Sequence, residues 1–155
     1  MNKTLKKIAL GLLVALAAVQ FFRIDKTVPA SDPSHDLFRM ASPPGEIASL
    51  LKVACYDCHS YQTEYPWYTN IAPVSWWIGH HIEEAREQLN FSVWGAYETG
   101  DQLELLHECA EEVGEGQMPL PSYTWMHGTA KLTDYQRNLL KNWFNSGLIG
   151  MRTSR

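Results

Sequence analysis

A chain of 155 residues is long enough for one domain with a real core and too short for two. Hydrophobic residues make up 45% and charged residues 19%, ordinary values for a globular protein, but the charge is unevenly spread. The first 31 residues carry Lys3, Lys6, Lys7, Arg23 and Lys26 against Asp25, a net of +4; the formal total of −4 leaves −8 for the rest, which excludes nucleic acid and anionic lipid as partners of the globular part.

The basic start runs into the uncharged stretch IALGLLVALAAVQFF, Ile8 to Phe22. It reads as the apolar core of a secretion signal or a membrane anchor, not as part of the fold. Its fifteen residues fall short of the roughly 20 that a helix needs to cross the hydrocarbon core, which favours a signal. Cleavage at Ala15-Leu16-Ala17, however, would leave an apolar core of only about seven residues, the lower limit for a signal. With Phe21 and Phe22 near the outer interface, an uncleaved anchor is the preferred reading. Either way Lys3, Lys6 and Lys7 stay inside and the domain is exported. Residues 1–25 are therefore expected to be signal peptide or anchor.

From Lys26 to Pro44 the sequence is polar and broken by Pro29, Pro33, Pro43 and Pro44, the mark of a tether over 26–44. The fold is expected to start near Asp36 and the main domain to cover 45–150. In PGEIASLLKVACYDCH the apolar Ile47, Leu50, Leu51 and Ala54 recur at helical spacing, so a first helix leads into the cysteines. SYQTEYPWYTNIAP, with Pro66 and Pro73, predicts a packed aromatic loop. Ser75 is placed to cap a second helix from about Trp76 to Leu89, with Trp77, His81, Ala85 and Leu89 on one face and Glu83, Glu84, Arg86 and Glu87 turned elsewhere. In the third helix, TGDQLELLHECAEEVGEG, Leu103, Leu106, Ala110 and Val113 point inward and Gly114 stands where a stop belongs. The last, KLTDYQRNLLKNWFNSGL, has Thr133 as cap, Tyr135, Leu139, Leu140, Trp143 and Phe144 as apolar side, and Gly147 as terminator. No alternating strand and no internal repeat is visible, so the fold class is all-α, about four helices.

The chemistry concentrates at Cys55, Cys58 and His59. In an oxidising compartment free thiols pair unless something occupies them, and the three cysteines, with Cys109, are an odd count. CxxCH fits covalent haem attachment, in which two thiols add to the vinyl groups and the adjacent imidazole lies beneath the iron. A redox dithiol is a weaker fit, because it calls for an exposed CxxC opening a helix after a strand. A zinc site would need a second CxxC or HxxxH, which is absent although His80, His81, His107 and His127 are available. A Cys55–Cys58 disulfide would leave His59 unexplained.

An iron held by one histidine needs a second axial ligand or an open site. Met118, followed by Pro119 in GEGQMPLPSY, is the candidate distal ligand, because a rigid loop is needed to bring a thioether over the far face of the ring. His81, on the inner stripe of the second helix, and His127 compete with it; His80 and His107 are expected to face solvent or neighbouring carboxylates. Trp67, Trp76, Trp77, Trp94 and Trp125, with Tyr65, Tyr68 and Tyr123, suit the walls of a flat apolar cofactor. Cys109, beside Ala110, reads as a buried inert thiol.

Taken together, CYDCHS, YPWYTNIAPVSWWI, EEAREQLNFSVW and GQMPLPSYTWMHGTAKLTDYQRNLLKNWF resemble the haem-binding domain family of small exported mono-haem proteins, related in outline to class I cytochromes c. The resemblance runs from about Phe38 to Phe144. It implies an exported, commonly membrane-tethered helical domain with one haem c bound through Cys55 and Cys58, His59 as proximal ligand and Met118 as distal ligand. LNFSVW, Leu89 to Trp94, belongs to the resemblance without an assigned role, and IGHHIEEAR departs from it by carrying His80, His81 and Ala85. The expected function is one-electron transfer on the periplasmic side of the inner membrane, by a carrier rather than a catalyst. Its partners would be redox proteins with a basic docking face and, through the N-terminal segment, the membrane. The alternatives are a haem peroxidase or gas or redox sensor with a displaceable distal ligand, and a haem-free thiol or metal module.

Overall fold

The computed structural model describes residues 2–153, with side chains as far as Gly147. Among them there are helices and turns and no strand, the all-α class expected. Helix α1 (Lys3–Val19) is exposed along its length and caps itself through Asn2; among the described residues no helix is long and apolar enough to cross a membrane. α2 (Leu37–Ala41) is a single turn, α3 (Gly45–Ala54) leads into the cysteines, and α4 (Tyr56–His59) is one further turn. The longer α5 (Val74–Gln88), α6 (Thr99–Glu115) and α8 (Asp134–Thr153) complete the frame, with the short α7 (Pro121–Met126) between the last two.

The main packing is α6 against α8. Leu106, Ala110 and Val113 meet Leu140 and Phe144, and α3 adds Ile47, Leu50, Leu51 and Ala54 to the same core. Each fully buried Leu or Phe here contributes about 1.5–3 kcal/mol relative to exposure. Thr133 and Gln136 form a reciprocal capping box at the start of α8: the Gln136 amide donates to Thr133 Oγ1 at 3.3 Å and the Thr133 amide to Gln136 Oε1 at 2.9 Å.

Four expectations on helix ends and faces are corrected. Gly114 lies inside α6; the stop is Gly116, whose φ of 82° is the left-handed conformation that glycine adopts without strain. Gly147 does not end α8 but allows close approach to α6, since a Cβ there would lie 3.2 Å from Leu106 Cδ1. Ser75 is buried in the first turn of α5 and makes no cap, the cap position of the helix being Pro73. Tyr135 is exposed rather than apolar-facing, because it lies in the first turn of α8, before the helix meets the core.

Within residues 26–44 the second half packs on the core: Leu37 is fully buried and the Phe38 ring stacks on Tyr56, centroids 4.3 Å apart and planes within 3°. The buried Asp36 carboxylate accepts from the Phe38 amide at 2.9 Å, Tyr56 Oη at 3.1 Å and Gln62 Nε2 at 2.9 Å. Three donors offset the cost of removing this charge from water.

Candidate haem site

α3 ends because Cys55 leaves helical geometry (φ −127°, ψ −43°), and α4 restarts at Tyr56. The Cys58 and His59 amides both donate back to the Cys55 carbonyl, at 3.2 and 2.9 Å, closing one tight turn over the whole CxxCH. Its inner residue, Tyr56, is the anchor. It stacks between Phe38 and Phe91, and burial, with Asp36 beside it, holds its phenol protonated well above the ordinary range.

The His59 ring reaches the C-terminal end of α5. Its Nδ1–H donates to the Ala85 and Leu89 carbonyls at 3.1 and 3.2 Å. Those carbonyls fix the tautomer and leave Nε2 with its lone pair and no hydrogen bond among the described residues; burial holds the ring below its ordinary pKa, hence neutral. The loop that follows is clamped by Arg86, which donates to the Ser60 carbonyl at 2.8 Å and to Thr63 Oγ1 at 2.9 Å. Arg86, read from the helical pattern as turned away from the core, is therefore half-buried against the CxxCH loop. LNFSVW acquires a role here as well: Leu89 receives His59, Phe91 packs on Tyr56, and Ser92 Oγ accepts the Tyr61 amide at 3.0 Å.

His59 and Cys58 line a cavity of about 420 Å³ whose other walls include Met118, Pro119, Leu120, His81 and Tyr123. A second, largely apolar cavity of about 220 Å³ shares Cys58, His81, Leu120 and Tyr123 and extends between Trp77, Ile78 and Met126. Volumes of this order suit one large flat cofactor. The structure thus brings Cys58, His59 and Met118 to one space, with Cys55 one turn behind. The Met118 amide donates to the Glu112 carbonyl at 3.1 Å, and Arg137 Nη1 donates to the Val113 and Met118 carbonyls at 2.7 and 3.1 Å, so the loop is fixed to α6 and α8.

The competing histidines separate by their partners. His80 and His107 are exposed beside Glu84 and Glu111, as expected. His127 has both nitrogens engaged: Nδ1–H donates to the Tyr123 carbonyl at 3.1 Å and Nε2 accepts from Tyr68 Oη at 3.2 Å. His81 gives Nδ1–H to the Trp77 carbonyl at 2.9 Å, which leaves its Nε2 free at the wall common to both cavities. Tyr123 also donates to the Asp57 carboxylate at 2.7 Å, tying α7 to α4. The polar ties made by Asp36, Arg86, Arg137 and Asp57 were missed in the sequence, where each looks like an ordinary surface charge.

The thiols are chemically quiet. Burial, with Cys58 beside it, pushes Cys55 up to about 12, and burial with Asp57 pushes Cys58 up to about 11. Cys109, close enough to Cys55 to feel its charge, is raised as well, mainly by burial. A redox dithiol needs a lowered thiol pKa, so these surroundings oppose that reading. Among the described residues no three His, Cys, Asp or Glu side chains gather as a cation site, and the zinc alternative gains no further ligands.

The residues fit haem: a neutral imidazole with its Nδ1 occupied, Met118 on the wall of the same cavity, and the protonated Cys58 thiol lining it, while Cys55 lines neither cavity. No curated protein matches the chain, and no solved structure does. A family model described as "Haem-binding domain" matches residues 14–146, well over half of the chain. On that match the chain belongs to the haem-binding domain family, and its cofactor is haem.

Proposed function

We propose that this protein is a mono-haem c-type cytochrome that carries single electrons at the periplasmic face of the inner membrane. The observation that carries the reading is the common cavity of Cys58, His59 and Met118, with the His59 ring oriented by two carbonyls and kept neutral by burial. Haem bound there would supply an Fe(III)/Fe(II) couple. The Cys55 and Cys58 thiols would hold the haem by each adding sulfur and hydrogen across one vinyl double bond, an addition from which nothing leaves and for which no oxidant is needed. His59 Nε2 is the proximal ligand, its basicity raised by the Nδ1 hydrogen bonds. Met118 sulfur, a soft ligand without a proton to lose, favours the ferrous state and a higher potential than a second histidine would. Pro119, Leu120 and Tyr123 line the cavity beside it. The net charge of −8 beyond residue 31 favours docking to a basic partner, with rates that fall as salt rises.

The test is to express the chain with its own export segment in a host that matures c-type cytochromes. Covalent haem together with the weak near-infrared charge-transfer band of methionine on ferric haem is expected. Met118→Ala should keep the haem and lose the band; haem-free protein from such a host would sink the proposal. A second reading, a displaceable distal ligand serving peroxide chemistry or gas sensing, rests on His81 and its free Nε2 beside the same cavity. Rapid carbon monoxide binding by the reduced wild type would favour it.

A further inference from the structure

Residues 65–79, YPWYTNIAPVSWWIG, carry no charged side chain in a chain that is 19% charged. The turn Trp67–Asn70 and the start of α5 that they form expose Trp67 at 72%, and Ile71 and Trp76 to lesser degrees, while Val74 and Trp77 wall the apolar cavity beside Cys58. Three exposed apolar side chains outside that cavity within ten residues are unusual on a soluble face.

The same corner holds the chain as it leaves α1. Gln20 pairs with Ala72 in both directions, Nε2 donating to the carbonyl at 3.0 Å and Oε1 accepting from the amide at 2.9 Å. Trp76 Nε1 donates to the Phe22 carbonyl at 2.7 Å, and Lys26 Nζ to Thr69 Oγ1 at 2.8 Å. Ile24 packs so closely on Gly79 that a Cβ there would meet its Cγ2 at 2.9 Å. The end of α1 is therefore bonded to the charge-free face over residues 20–26, with Phe21 exposed at 87% and Phe22 at 69% beside it.

We infer that this face of the domain, Trp67 to Trp77, lies on the lipid surface, with Phe21 and Phe22 in the same interfacial layer. The inference rests on reading α1 as an uncleaved anchor. α1 has 17 residues, about 25 Å at 1.5 Å each, against a hydrocarbon core of about 30 Å. An apolar helix too short to cross the core anchors with its flanks drawn to the bilayer surface, and here the flank is bonded to a face bearing tryptophans, the side chains that favour the interface. The strong acidity of the rest of the domain keeps its other faces in water; the inserted side chains are apolar, with Arg23 and Lys26 beside them on Asn70 as the cations nearest the headgroups. One consequence is that the apolar cavity beside Cys58, walled in part by Tyr65, Val74, Trp77 and Ile78, is turned toward the membrane.

The test uses the full haem-loaded chain in phosphatidylcholine vesicles, with a nitroxide on Trp67→Cys or, as a second position, Ile71→Cys. The control is Glu111→Cys on the exposed acidic side of α6. Paramagnetic relaxation by oxygen and by a water-soluble nickel chelate reports depth. Labels at 67 and 71 should favour oxygen over nickel by several-fold relative to the label at 111. Vesicle-bound protein with equal ratios at all three positions would overturn the inference alone. Protein that fails to float with the vesicles would overturn it together with the anchor, and a haem-stained band in either case shows that the haem reading stands apart.

Discussion

The two sides of the haem cavity are built differently. On the His59 side every level is fastened: the ring by two carbonyls of α5, the following loop by Arg86, and the preceding Tyr56 by two aromatic neighbours and Asp36. On the Met118 side the backbone is held by the Glu112 carbonyl and Arg137, while the thioether has only packing to keep it in place. One side is a frame and the other a closure. Local opening should start where the fewest buried contacts must break, so the Met118 loop is the part that yields first.

The strongest way to break the comparison is to remove the frame's own chemistry. Cys55→Ser with Cys58→Ser should abolish covalent attachment, read as complete loss of haem stain after denaturing electrophoresis. Haem surviving that treatment would mean that neither thiol is the attachment point. Next is the support under Tyr56. Leu37→Ala removes a fully buried side chain and should cost about 2–5 kcal/mol in denaturant unfolding, although it lies in a stretch that looks like a linker. A change below about 0.5 kcal/mol, the level of an exposed position, would return residues 36–41 to the status of a tether.

That stretch also shows what could and could not be read in advance. The apolar spacings of α3, α5, α6 and α8 are one-dimensional signals, and so is CxxCH, which is why helices, class and Met118 loop were legible. The burial of Leu37 and the three bonds of Asp36 were hidden because four prolines surround them, and proline marks a break in helix without saying whether the broken chain is packed. Arg86 and Arg137 were hidden because a cation on a polar helix face looks alike whether it meets water or a loop carbonyl. Gly114 and Gly116 differ only in which one takes the left-handed conformation, a choice made by where the chain must turn to reach Met118. In each case the missing information was the identity of a neighbour distant in sequence.

The smallest expected effect separates frame from closure most cleanly. Arg86 gives two hydrogen bonds to the loop after His59 and Arg137 gives one to the Met118 loop and one to the end of α6, and replacing either by Met removes charge-assisted bonds worth about 1.5–3 kcal/mol while keeping most of the apolar stem. The energies are alike, but the consequences should differ. Arg86 holds a loop continuous with the core turn, so Arg86→Met should lower the denaturant midpoints of helix content and of methionine ligation together. Arg137 holds Met118 itself, so Arg137→Met should move the loss of the charge-transfer band to lower denaturant than the loss of helical circular dichroism. If Arg137→Met shifts both transitions equally, the Met118 loop is as integral to the fold as the His59 turn, and ligand exchange at the distal side would require global unfolding.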